Sequence, residues 1–79
     1  MEWSPRTHEK EHFEVMTRLA ASMRAARERH CISQESAAQL AGVSLHTYAY
    51  IERARTPSGG IPNPTIDTIL RIRRALRLN

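Results

Sequence analysis

His8 and His12 stand four residues apart with Glu9 beside the first, so His8-Glu9-Lys10-Glu11-His12 satisfies the pattern H-E-x-x-H. On a helix the two imidazoles share a face and can hold zinc, with the glutamate as the general base of a hydrolase. A catalytic zinc also needs a third protein ligand and a substrate cleft. Glu28 and His30 lie further along the same helix, about 25 Å away at its rise per residue, and cannot close the site. A chain of 79 residues also leaves no length for a cleft-forming domain. The expectation is a charged, solvated helix start, with no catalytic residues, no bound metal, no cofactor and no enzymatic activity. Cys31 is the one cysteine, so no intrachain disulfide can form, and it reads as a small, partly buried residue before a turn.

Residues 33–55 carry a different chemistry. They read as two short helices, about Gln34–Ala41 and about Leu45–Arg53, joined by a turn at Gly42. Ser33 and Ser44 can cap them, because a serine hydroxyl accepts from the orphaned N–H groups of a first turn. On a helical wheel Tyr48 and Ile51 point together toward a core. His46 occupies the opposite direction, flanked by Ala49 and Tyr50, with Leu45 and Thr47 at the margins. A helix packed this way offers Leu45, His46, Thr47 and Tyr50 to a DNA major groove as the base-facing set. Leu45 can pack on a thymine methyl, and His46, Thr47 and Tyr50 can each form single hydrogen bonds. The face holds no arginine, asparagine or glutamine for bidentate base contacts, so DNA shape and half-site spacing must add specificity. Arg53 and Arg55, just past the exit, suit phosphate oxygens. Ser33, Gln34 and Ser44, at the two helix starts, complete the candidate phosphate contacts.

The charge distribution agrees with a polyanionic partner. The formal net charge is +4, from 12 basic and 8 acidic residues, and every basic residue except Lys10 is arginine. Residues 1–52 hold seven of the acids, whereas residues 53–79 hold six arginines against Asp67 alone. That balance favours nucleic acid or an anionic surface. No apolar run approaches the ~18 residues of a membrane span. The charged N-terminus does not resemble a secretory signal, so the chain reads as cytoplasmic, with no membrane partner.

The elements that position these residues follow from periodicity and breakers. Ser4-Pro5 or Thr7 can start a first helix that runs unbroken to about Glu28. Phe13, Met16, Leu19, Ala20, Met23 and Ala26 recur at spacings of three and four and form its core stripe. The helix is long for so small a domain, so residues 1–12 are expected to project as a helix start or to form a disordered arm. Residues 56–64, Thr-Pro-Ser-Gly-Gly-Ile-Pro-Asn-Pro, exclude regular structure and form a loop, pinned at Ile61 or mobile at its tip. Thr65 then caps a last helix on which Ile66, Ile69, Leu70, Ile72 and Leu76 cover a broad apolar face interrupted by Arg73. The whole reads as one domain, 1–79, with an all-α fold.

The ordered motifs resemble the phage Cro and repressor-type helix-turn-helix family, also described as xenobiotic-response-element-like regulators. The likeness is carried by Leu19 to Arg27, Ile32-Ser33-Gln34-Glu35, Leu40-Ala41-Gly42-Val43-Ser44, Ile51-Glu52-Arg53, and Asn63-Pro64-Thr65-Ile66 through Leu76. It implies a compact four- to five-helix bundle containing a helix-turn-helix, with the first helix extended here. It implies transcription regulation, in the manner of a repressor, through operator DNA read by residues 45–53 in a homodimer. It also implies a phosphate contact by Gln34 and a structural ion pair between Arg27 and Glu52. The chain departs from the pattern at Ala37, where a leucine is usual, and at Arg73, where a small residue is usual. Ala54 stands where glycine is usual, so the exit of the recognition helix is expected to continue as helix. Residues 57–62 are an insertion. A second expectation is a protein partner held through the N-terminal helix, as in a coactivator or antitoxin-like module.

Overall fold

The computed structural model describes residues 4–78. It is all-helical, with four helices: α1 (Pro5–Arg29), α2 (Gln34–Ala41), α3 (Leu45–Arg53) and α4 (Ile66–Leu76). No strand occurs among the described residues. Helix α1 packs on α3 and α4, and α2 packs on both α3 and α4.

Each start has a cap of the expected kind. Ser4, Ser33, Ser44 and Thr65 are extended, and their hydroxyls accept from the backbone N–H three residues on. Pro5 takes the first helical position, where its missing N–H costs nothing. Helix α2 ends at Gly42, whose φ of 71° is the left-handed conformation glycine adopts readily. The Gly42 and Val43 N–H groups return to the Gln39 and Ala38 carbonyls.

Helix α3 does not continue past Arg53. Ala54 stops it with φ 59°, and the Ala54 and Arg55 N–H groups return to the Ile51 and Tyr50 carbonyls. The helix closes as a glycine would close it, at the conformational cost an alanine Cβ adds in that region. Ala54 is buried, so its methyl recovers part of that cost.

The core stripe of α1 is Met16, Ala20, Met23 and Ala26, all buried, with Leu19 packed beside it. These meet Ala37, Ala38 and Ala41 of α2, Tyr48 and Ile51 of α3, and Ile72 and Leu76 of α4. Half of the twelve buried apolar residues are alanines, so the helices approach closely and few large side chains fill the interior. The broad apolar face expected on α4 is only partly used. Ile72 and Leu76 are fully buried, whereas Ile66 and Leu70 are 73% and 52% exposed.

The loop after α3 is tied down. Ile61 packs on the core and Pro62 is fully buried. His12 Nε2 donates to the Pro62 carbonyl at 2.8 Å, and Thr56 closes a turn with Gly60 through both backbone and hydroxyl. Cys31 is exposed rather than partly buried, because a left-handed turn with φ 56° swings it outward after α1. No helix among the described residues is long and apolar enough to cross a membrane.

Candidate functional site

Helix α3 is short, so its orientation depends on what it is packed against. Tyr48 and Ile51 are fully buried beneath it. Glu52, also buried, fixes its last turn. The Arg27 guanidinium grips the Glu52 carboxylate with Nη2 at 2.8 Å and Nε at 3.1 and 3.2 Å. Arg27 Nη1 also donates to the Ile32 carbonyl, and Gln34 Nε2 donates to Glu52 Oε1 at 3.3 Å. One carboxylate thus joins the end of α1, the start of α2 and the end of α3. Arg24 adds a bond from Nη1 to the Glu52 carbonyl at 2.7 Å. Burial pushes the Glu52 carboxyl up, but the hydrogen bonds and charge of Arg27, with the neighbouring Tyr48 and Gln34 polar groups, outweigh it and hold the group below the usual carboxylate range. Arg27 is raised in turn, chiefly by its hydrogen bonds to Glu52. The Tyr48 hydroxyl is buried beside this cluster with no hydrogen-bond partner among the described residues. Burial and the adjoining Glu52 carboxylate both raise its pKa, so it stays a neutral phenol.

The outward face of α3 carries the predicted set. Leu45 is 46% exposed, His46 is exposed and Thr47 is half-buried. Tyr50 is less outward than the wheel places it. It is half-buried, its ring packs against the core, and the His46 ring meets it edge-on with centroids 5.9 Å apart. The two rings therefore form one small aromatic surface.

The predicted phosphate contacts separate into three groups. Ser33 and Ser44 spend their hydroxyls on capping, and Ser44 also donates to Thr47 Oγ1 at 2.9 Å. The Gln34 amide is turned inward to Glu52 rather than presented outward, which leaves the α2 start to offer backbone N–H groups. Arg53 and Arg55 are both exposed, but Arg55 is not a free side chain. Its guanidinium carbon lies 4.5 Å from the centroid of the Phe13 ring on α1.

Three features were not singled out as site residues from sequence. Arg24 precedes Arg27 by three positions on the same side of α1, and that spacing is the signal that groups them. Phe13 belongs by spacing to the core stripe, yet it is half-buried and serves as the platform for Arg55. No sequence signal distinguishes the Tyr48 hydroxyl. Of the motif near the N-terminus, His8 and His12 face each other with ring centroids 6.2 Å apart, and His12 is engaged with Pro62. No group of three or more His, Cys, Asp or Glu side chains among the described residues is placed to hold a metal.

Compared with known proteins, the chain matches no family model, no curated protein and no solved structure.

Proposed function

We propose that the chain is a sequence-specific double-stranded DNA-binding transcriptional regulator, in which α2 and α3 act as a helix-turn-helix and α3 enters the major groove. The observation that carries this reading is the two-sidedness of α3. Tyr48, Ile51 and Glu52 fix its inner side, while Leu45, His46, Thr47 and the edge of Tyr50 are left on the outer side beside Arg53. A rigid helix with a small apolar and hydrogen-bonding face next to cations suits contact with base edges and phosphates. The resemblance of the ordered motifs to Cro and repressor-type regulators supports the same reading.

A homodimer fits the remaining surface. Val15, Ile66 and Leu70 are exposed, and a groove between α1 and α4 is lined by Val15, Met16, Leu19, Ile69 and Leu78 together with Ser22 and Arg73. A second copy would cover apolar area that a small domain leaves in water.

The test is selection of bound sequences from a random duplex library. The expected product is an inverted repeat whose half-sites lie about one helical turn apart. Recovery of no enriched sequence would reject the regulator and leave a protein-interaction module.

A further inference from the structure

The chain leaving α3 runs back along α1 and forms a cleft with its first turns. The cleft is lined by Arg6, Glu9, Lys10, Phe13, Arg55 and Ile61, so three cations face one carboxylate. Arg6 and Lys10 are one helical turn apart, both are exposed, and Phe13 follows on the same side. Among the described residues none of the three cations forms an ion pair. Arg55 is held over Phe13, which restrains its guanidinium and leaves its N–H edges open. A cationic group ordered in advance has less freedom to lose when it meets an anion.

We propose that this cleft binds backbone phosphates of duplex DNA outside the stretch contacted by α3. The proposal rests on the DNA-binding reading and extends its footprint. Three observations select this ligand. First, Arg6, Lys10 and Arg24 fall along one side of α1, and Arg24 is bonded to the end of α3. From Arg6 to Arg24 the helix advances about 27 Å, the length of about eight base pairs at 3.4 Å each. Second, Arg55 joins that row to Arg53 at the α3 exit, so the cationic edge is continuous with the surface already assigned to phosphate. Third, Arg55 occupies a face of the Phe13 ring, the one aromatic side chain lining the cleft, so that face is not available to stack a free nucleotide base. Glu9 is the opposing charge, and its removal should strengthen binding.

The experiment measures log K against log salt for two duplexes carrying one selected site. One ends at the site; the other extends about ten base pairs beyond it on each side, about one further helical turn. For the unaltered protein the longer duplex is expected to show a slope steeper by about 2 per bound chain. The Arg6→Ala/Lys10→Ala variant should abolish that length dependence and retain the slope on the short duplex. Glu9→Gln should tighten binding to the long duplex alone. An unchanged length effect in the double variant, with Arg53→Ala still lowering the slope, overturns the cleft assignment and spares the DNA reading. Absence of salt-dependent duplex binding by the unaltered protein overturns both. Competition by poly-glutamate that the double variant abolishes, without any duplex-length effect, assigns the cleft to an acidic polypeptide and also overturns the proposal.

Discussion

Glu52 is the residue on which three helices converge, and its charge is held by Arg27 rather than by water. Breaking one side of such a pair leaves the other uncompensated. Glu52→Gln is expected to lower stability by about 3 kcal/mol near neutral pH, read from urea unfolding. The sign with pH follows from the depressed carboxyl. Its folded pKa lies below the unfolded value of 4.5, so its contribution is complete above 4.5 and is lost as pH falls through the lower folded value. The acid limb of the stability curve should flatten in Glu52→Gln; an unchanged limb would show that the pair is not its source. Of these features the Arg27–Glu52 pair was legible, because the family resemblance implies it. The third partner, Gln34, was not. A side chain at a helix start looks free on a wheel that shows angle and omits neighbours.

At the scale of elements, the boundaries of α2, α3 and α4 were legible because Ser33, Ser44, Thr65 and Gly42 act through the backbone within three residues of themselves. Gly42 is the sharpest case. A Cβ there would sit 3.1 Å from Arg71 Nη1, the end of a flexible chain, so the steric conflict is small and the positive φ dominates. Gly42→Ala should destabilise by about 1 to 2 kcal/mol, with no further penalty that Arg71→Ala could relieve. Relief by Arg71→Ala would shift the cause from backbone to clash. The stop at Ala54 was not legible, since alanine favours helix locally. The buried site and the returning hydrogen bonds impose the turn instead. The face of α4 misled for a related reason. Periodicity marks Ile66 and Leu70 as apolar, but α1 and α2 cover only the side of Ile72 and Leu76.

For the whole molecule, α1 sets the long axis. It is about 37 Å long by its rise, in a body measuring 41 × 27 × 20 Å. It supplies four buried residues, Arg24 and Arg27 for Glu52, and the platform for Arg55. An interior so rich in alanine rests on its few large side chains. Met23 is fully buried, and Met23→Ala should cost about 2 to 5 kcal/mol, a large share of the roughly 4 to 12 kcal/mol typical of a domain this size. Thermal unfolding would show it; a shift of only a degree or two would mean that the core collapses around the gap. The shape leaves α3 at the surface with its outer face open, and the central claim is that this face and Arg53 meet duplex DNA in distinct roles. The most direct test is the affinity for a selected duplex against salt concentration, in the unaltered protein and in two variants. The expected result is a linear fall of log K with log salt, a slope reduced by about 1 in Arg53→Ala. Leu45→Ala/His46→Ala should keep that slope and lose the preference for the selected sequence. Failure to bind duplex at ~50 mM salt, where phosphate contacts are strongest, or equal sequence preference in the double variant, would contradict the account.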